Sequence, residues 1–307
     1  MSAVEARKAP PPGGADIRDV ANAYAPFRTG RLILWIMVIL AGIDAAWAVA
    51  INDGFGWPVV FQYFFDPTVI QGLYVSLGLT LVGMIIGIVL GLLLAIARMS
   101  DDRLASSLAS LYIWFFRGTP LLVQLIFWYN MSTLFPEIGV KIPFGPMVFG
   151  WETNSAITPM TAAIVGLALN EAAYMAEIIR GGLLSVERGQ FETAEAFGMT
   201  RGKALWRIII PQAMRSIVPP TGNQLIGMIK ATSLVSVIAM ADLLYSVQSI
   251  YNRTFEIVPM LLVAVVWYLL ITSVLNIGQS YLEAYYGRSD RRTVTTAKPV
   301  DVQEASH

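Results

Sequence analysis

The sequence predicts an all-α, polytopic membrane protein with about six transmembrane helices and both termini in the cytoplasm. Three observations carry that prediction. Hydrophobic residues fill 56% of the 307 positions and charged residues only 14%, too apolar for a soluble domain of this length. Six apolar runs follow one another, near 32–51, 70–97, 104–131, 161–184, 221–247 and 258–282. Each reaches the roughly 20 residues that cross a 30 Å hydrocarbon layer. Lys and Arg are distributed unevenly. With the N-terminus inside, all 21 basic residues except Arg117, Lys141, Lys230 and Arg253 fall in cytoplasmic tails, loops or helix ends, as the positive-inside rule requires.

Taken in order, residues 1–27 hold the run APPPGG and scattered charges. They read as a flexible cytoplasmic tail, not as a cleavable signal. Residues 28–69 supply the first span and an outer loop. The second span carries Gly83, Gly87 and Gly91 at four-residue spacing, a smooth strip on which another helix can approach closely. In hydrocarbon each backbone polar group must be paired within the protein, so the spans are helices. The outer loop 132–160 contains Pro136, Pro143, Pro146 and Trp151; it is neither strongly apolar nor charged, its pattern assigns it no structure, and its position suits receiving a partner or covering the pore. From Arg288 onward the chain is polar and reads as a disordered cytoplasmic tail.

Between the fourth and fifth spans lies a polar, basic stretch, 189–211, reading GQFETAEAFGMTRGKALWRIIIP. A helix is expected over 191–197. Gly198 ends it, because glycine enters the left-handed C-cap conformation without a Cβ clash. Thr200 can cap a second short helix over 201–209, and Pro211 obstructs its continuation. This helix–turn–helix resembles the EAA loop of ABC-importer permeases. Glu192, Thr193 and Ala194 fill the E-A-A places, Gly198 the glycine, and Ile208, Ile210 and Pro211 the I-x-L-P end. Thr193 and Ile210 depart from that pattern, and the spacing is kept. The resemblance implies that the loop docks into a groove of a separate ATPase subunit. Phe191, Phe197 and Met199 are then the apolar anchors, Glu192 a charge or cap, and Arg201 and Lys203 partners for acidic groups. Ala194, Gly198 and Pro211 complete the coupling set.

Ionisable groups inside the membrane cost about 2.5–3.5 kcal/mol each, so each needs a reason. Arg117, Glu171 and Lys230 fall on three different spans, all about 14–20 Å deep at 1.5 Å per residue. One reading is a polar cavity for a zwitterion, with a cationic group for the carboxylate and Glu171 for an ammonium, assisted by Asn170, Ser233 and Ser236. The other is a set of structural ion pairs. Glu177, with Arg180 three residues on, fits the structural reading. Asp44 in the first span has no evident partner.

Three further runs narrow the resemblance: FRGTPLLVQ at 116–124, EAAY at 171–174 continuing to RGG at 180–182, and IKATSL at 229–234. All resemble the polar amino acid permease branch of the ABC importers, and the similarity spans about 70–287. It implies one permease half of an importer for histidine, arginine, glutamine, glutamate or opines. Its partners would be a periplasmic or lipid-anchored binding protein, a homodimeric ABC ATPase and a second permease, identical or homologous. It also implies the bacterial inner membrane as the location.

The chain itself is not expected to hydrolyse ATP. The nearest approach to a phosphate-binding loop, GMTRGKA at 198–204, is one residue short between its glycines, and Ala204 cannot ligand magnesium. ATP–Mg is therefore expected on the partner. With no cysteine and a single histidine, His307, metal and thiolate chemistry have nothing to work with. No nucleic-acid role is indicated. The alternative is an ion-gradient-driven secondary transporter using Glu171 and Lys230 as a proton relay. A channel and an intramembrane enzyme are the remaining rivals.

Overall fold

The computed structural model describes residues 29–141 and 147–294, with side chains over 30–140 and 148–287. The expected tail at 1–27, and residues 295–307 of the expected tail at 288–307, lie outside the described residues. The chain divides into two units, 1–53 and 54–307. The first contains one apolar helix, α1 (Thr29–Ile51). The second holds α2 (Trp57–Tyr63), α3 (Pro67–Arg98), α4 (Arg103–Gly118), α5 (Leu121–Tyr129) and α6 (Met131–Leu134), then a hairpin of β1 (Glu137–Lys141) and β2 (Met147–Glu152). There follow α7 (Thr153–Ala156), α8 (Pro159–Leu184), α9 (Arg188–Ala196), α10 (Arg201–Ala204), a π turn (Leu205–Ile209), α11 (Ile210–Ala231), a 3-10 turn (Thr232–Ile238), α12 (Leu243–Thr254) and α13 (Ile257–Val294).

Four helices are long and apolar enough to cross a membrane unaided: Gly30–Ile51, Pro67–Arg98, Pro159–Leu184 and Ile257–Gly287. Two bent pairs bring the number to six. Arg103–Gly118 and Leu121–Tyr129 meet at 102°, and Arg201–Ile238 and Leu243–Thr254 at 46°. The six-run, mostly helical prediction therefore holds, with three corrections. The third and fifth runs are broken helices rather than straight ones. Helix α11 begins at Ile210, well before the expected 221. The outer loop 132–160, to which the sequence assigns no structure, carries a two-stranded hairpin. The last helix also extends beyond 282, so the polar segment after Arg288 is helical backbone as far as Val294.

The starts of three helices are written in the sequence. The Asp66 carboxylate accepts from the Thr68 N–H at 2.8 Å, and Pro67 occupies the first helical position of α3. Asp102 accepts from Leu104 N–H at 2.8 Å ahead of α4. Thr158 accepts from Thr161 N–H at 3.2 Å ahead of α8, again with proline next. Each cap satisfies a donor that the first helical turn leaves free.

At the centre α3 lies along α8, and the glycine stripe makes that approach possible. A Cβ on Gly87 would stand 2.7 Å from Glu171 Cγ, and one on Gly91 2.6 Å from Met175 Cβ. Gly83 faces Leu167 less tightly, at 3.6 Å. The facing residues on α8 are thus four apart, like the glycines. Around this seam lies a core of Leu79, Met84, Leu125, Leu167, Met228 and Val235. A second core, with Val69, Leu243, Val247 and Met260, joins α3, α12 and α13. Gly91→Val inserts atoms against the Met175 side chain and the Ala172 carbonyl oxygen, the latter 3.0 Å from the new Cβ. Overpacking of this kind costs about 1–3 kcal/mol or more. The expected outcome is a lower thermal midpoint in detergent and less folded protein in the membrane, with Gly78→Val, where a Cβ meets nothing within 4 Å, as the tolerated comparison.

Candidate functional site: a docking loop and two broken spans

The loop after α8 is a helix–turn–helix with a closed turn. Gly198 sits at φ +68°, the left-handed conformation expected of it. Its N–H bonds to Glu195 O at 2.8 Å, and Met199 N–H bonds to Ala194 O at 3.0 Å. These two bonds make a Schellman closure, satisfying carbonyls at the C-terminal end of α9. Helix α10 then starts at Arg201 and ends within one turn. The chain widens into the π turn Leu205–Ile209 just before Pro211. Proline has no N–H and its ring crowds the carbonyl four residues back. An extra residue in the turn accommodates both problems, so Pro211 bends the helix out of register without ending it, and α11 runs on.

Ala194, 1% exposed, packs inward and is not available to a partner. Its small side chain lets α9 lie against α10 and the π turn. Phe191 is 44% exposed and Phe197 82%, while Met199 is half-buried. Glu192, Arg201 and Lys203 are all exposed, as is Pro211. Sequence reasoning missed Trp206, 72% exposed in the π turn and on the same loop; a tryptophan next to Arg207 in a polar, basic stretch was the available signal. The loop is joined to the spans by Val186, Ile209 and Ala213, which form a buried cluster. Gln212 on α11 donates to Gln190 Oε1 on α9 at 3.1 Å. Helix α9 is thus tied by contact to α11.

The first broken span follows from Pro120. A proline disfavours the helical conformation in the residue before it, and Thr119 lies at φ −114°, ψ 143°. Helix α4 must stop, and its last carbonyls lose their helical partners. Side chains replace them. Gln124 Nε2 donates to Phe116 O at 3.0 Å, Thr119 O at 3.2 Å and Thr119 Oγ1 at 2.7 Å. Asn170 Nδ2, from α8, donates to Phe116 O and to Gln124 Oε1, both at 3.1 Å. Thr119 Oγ1 donates to Phe115 O at 2.8 Å. The polar letters of FRGTPLLVQ thus close a break that hydrocarbon would not otherwise tolerate. Asn170 gives its amide hydrogens to this knot.

The second break follows α11. After the 3-10 turn, Ala239 adopts φ 57°, and Asp242 restarts the helix. Its carboxylate accepts from Tyr245 N–H at 2.9 Å and Leu244 N–H at 3.2 Å, and Tyr268 on α13 donates to it at 3.3 Å. Ser76 on α3 accepts from Leu243 N–H at 3.1 Å. Asp242 is completely buried, and sequence reasoning passed over it. An acid immediately before a leucine pair inside an apolar run was the signal for a helix start. Within α11 itself, Pro219 O accepts from Gln279 Nε2 of α13 at 2.8 Å, which ties the two helices together beside Pro219 and Pro220.

The charged candidates do not converge. Arg117 lies in the last turn of α4, its guanidinium 5.4 Å from the Tyr174 ring centre, a cation–π contact. Lys230 is exposed near the end of α11. Glu171 is 6% exposed and faces inward under Gly87, with Gln224 as its polar neighbour. Its Oε1 has no hydrogen-bond partner among the described residues. Ser233 and Ser236 each donate back to carbonyls of their own turn, Lys230 O at 2.7 Å and Ser233 O at 2.8 Å. Among the described residues the one ion pair is Glu177–Arg180, at 2.7 Å, the pairing expected from their spacing. Glu177 and Arg180 thus pair with each other on α8, while Glu171 is held apart in the helix seam.

A bundle of broken and unbroken spans, carrying a polar helix–turn–helix at one end of α8, defines a membrane transport permease. Residues 87–286 match the family of binding-protein-dependent transport system inner membrane components, and the chain belongs to that family. It is accordingly a multi-pass protein of the bacterial inner membrane. It is similar to the arginine transport system permease protein ArgU of Corynebacterium glutamicum, 42% identical over 276 residues that cover 88% of this chain and 85% of that protein. It is also similar to the glutamine transport system permease protein GlnP of Escherichia coli, 36% identical over 220 residues, 72% of this chain and 90% of that protein. Among solved structures it resembles that of an amino acid ABC transporter with histidines. That match has a TM-score of 0.61 and 37% identity, covering 72% of this chain and 95% of the other.

Proposed function

We propose that this chain is one permease half of an ATP-driven importer of polar amino acids, pairing with a second permease and receiving its substrate from a binding protein. The observation that carries the reading is the Schellman-closed helix α9, with Phe191 and Phe197 presented to solvent and its base locked to α8 and α11. A separate ATPase dimer, holding ATP–Mg, grips this helix from the cytoplasm, and its closure tilts the attached spans. Hydrolysis is the partner's chemistry, and this chain transmits the movement. Relatives bearing the names of arginine, glutamine and opine systems, together with the amino acid ABC transporter structure, support amino acids as the cargo and give no support to an ion-gradient drive.

Arg117 is the residue placed best to meet a substrate carboxylate. It stands exposed at the first break, where α4 turns through 102°. Lys230, Ser233 and Ser236 occupy the second break and supply a cation and hydroxyls there. Asn170 acts by holding the Arg117 turn in shape. Glu171 meets an ammonium only if the α3–α8 seam opens.

The test is ATPase activity of the complex co-purified with its binding protein in lipid, across basic, acidic and amide amino acids. Stimulation several-fold by one class, with arginine the first to try, is the expected result. Substrate uptake that follows an imposed proton or sodium gradient and ignores ATP would overturn the reading.

A further inference from the structure

The hairpin β1–β2 has one wholly apolar face. Its register pairs Ile138 with Trp151 and Val140 with Phe149. Side chains alternate across a strand, so these four share one side. The opposite side carries the Glu137–Glu152 and Gly139–Gly150 pairs. Val140 is 67% exposed, Phe149 59% and Trp151 57%. The Phe149 and Trp151 rings stand edge to face at 4.7 Å. Exposed apolar clusters of this kind mark surfaces that meet a protein or a membrane.

The root of the hairpin is fixed and lies close to a span. Thr153, fully buried, donates its N–H to Pro136 O at 2.9 Å and its hydroxyl to Phe135 O. Helix α8 begins at Pro159, a few residues on. The docking loop is at the other end of that helix, about 39 Å away at 1.5 Å per residue. At the root of the hairpin is a groove of about 810 Å³, lined mainly by Trp128, Leu134, Phe135, Ile138 and Ile157, with Glu137 as its one charged residue. Trp128 and Ile157 also pack on the central core, so the groove continues the apolar surface of the spans.

We propose that the hairpin lies on the bilayer, its apolar face in the interfacial layer at the membrane side remote from the docking loop, with a lipid acyl chain in the groove at its root. Three features favour lipid over a protein. None of the four side chains on this face bears a charge or a hydrogen-bonding group other than the indole N–H. Tryptophan is at home at the level of the lipid headgroups. The groove is mostly hydrocarbon, with the Glu137 carboxylate and no basic side chain among its lining residues. This inference rests on α8 as a membrane span and is independent of the cargo and of the ATPase.

The chain contains no cysteine, so single labels report single sites. Phe149→Cys, Val140→Cys and Glu152→Cys, each carrying a small environment-sensitive fluorophore, are assembled with the ATPase in phosphatidylcholine vesicles. Quenching by a nitroxide at carbon 5 of the acyl chain is compared with quenching by aqueous iodide. The expected result is lipid quenching at 140 and 149 at least threefold stronger than at 152, with iodide showing the reverse order. Equal iodide quenching at all three sites overturns the proposal. So does shielding of 140 and 149 only after purified binding protein is added, which would make the hairpin a protein-docking element. Uptake measured on the same vesicles reports on the transport function separately.

Discussion

Gly198→Val is expected to abolish most ATP-driven uptake while leaving the chain folded in the membrane. A Cβ at this position would meet nothing within 4 Å, so the substitution introduces no collision with a neighbouring side chain. Its effect is confined to the backbone, which sits at φ +68°. The left-handed conformation costs an L-residue roughly 1–2 kcal/mol, and a β-branched residue is a genuine outlier there. The turn relaxes, the bonds from Gly198 and Met199 to α9 are lost, and α9 no longer stands at a fixed angle to α11. Uptake into vesicles should fall at least tenfold, with ATPase activity no longer responding to substrate. Gly198→Asn, which tolerates the same conformation, should retain much of the uptake. Full uptake by the valine variant, in a complex that assembles normally, would remove α9 as the coupling element.

Gln124→Leu should be the most destabilising polar-to-apolar change in the chain, although it makes a membrane protein more apolar. Gln124 bonds two backbone carbonyls and a hydroxyl at the first break and accepts from Asn170. Each buried polar group left unpaired costs about 1–3 kcal/mol, and in hydrocarbon water cannot stand in. The thermal midpoint in detergent should drop on the order of 5 °C or more. Asn170→Leu should do less, because Phe116 O keeps its bond from Gln124. A Gln124→Leu midpoint equal to the parent's would mean that the break does not depend on this knot.

The six spans were legible because lipid demands length and apolarity, and hydropathy measures both. The turn at Gly198 was legible because a single residue type fits it. The Glu177–Arg180 pair was legible from spacing alone. The breaks were not, since leucine and isoleucine flank Thr119–Pro120 and Ala239–Asp242 as densely as they flank an unbroken helix. Pro120 was visible, but its consequence depends on Gln124 and Asn170 arriving to accept the loss. Pro219 and Pro220 lie inside α11, ahead of the run expected from 221, and the helix runs through them. Which face of a span is buried was also hidden. Lipid is as apolar as a protein core, so nothing in the pattern around Glu171 says that it points into the α3–α8 seam while Tyr174, one turn on, points out. The hairpin escaped notice because its strands are short and the prolines at 136, 143 and 146 argue for a loop.

The π turn at Leu205–Ile209 sets the phase between two parts of one continuous helical path. An α-helix advances about 100° per residue, so the surplus residue rotates everything on its far side by roughly that angle. Gears meshed through a shaft must agree in phase as well as in length. The loop's spacing from Gly198 to Pro211 is therefore an angular specification: it determines the direction in which Phe197 and Trp206 point when the spans are upright. A one-residue deletion in this stretch would leave hydropathy, charge and helix content almost untouched, and would turn the contact face a quarter of a revolution away from whatever it was cut to engage.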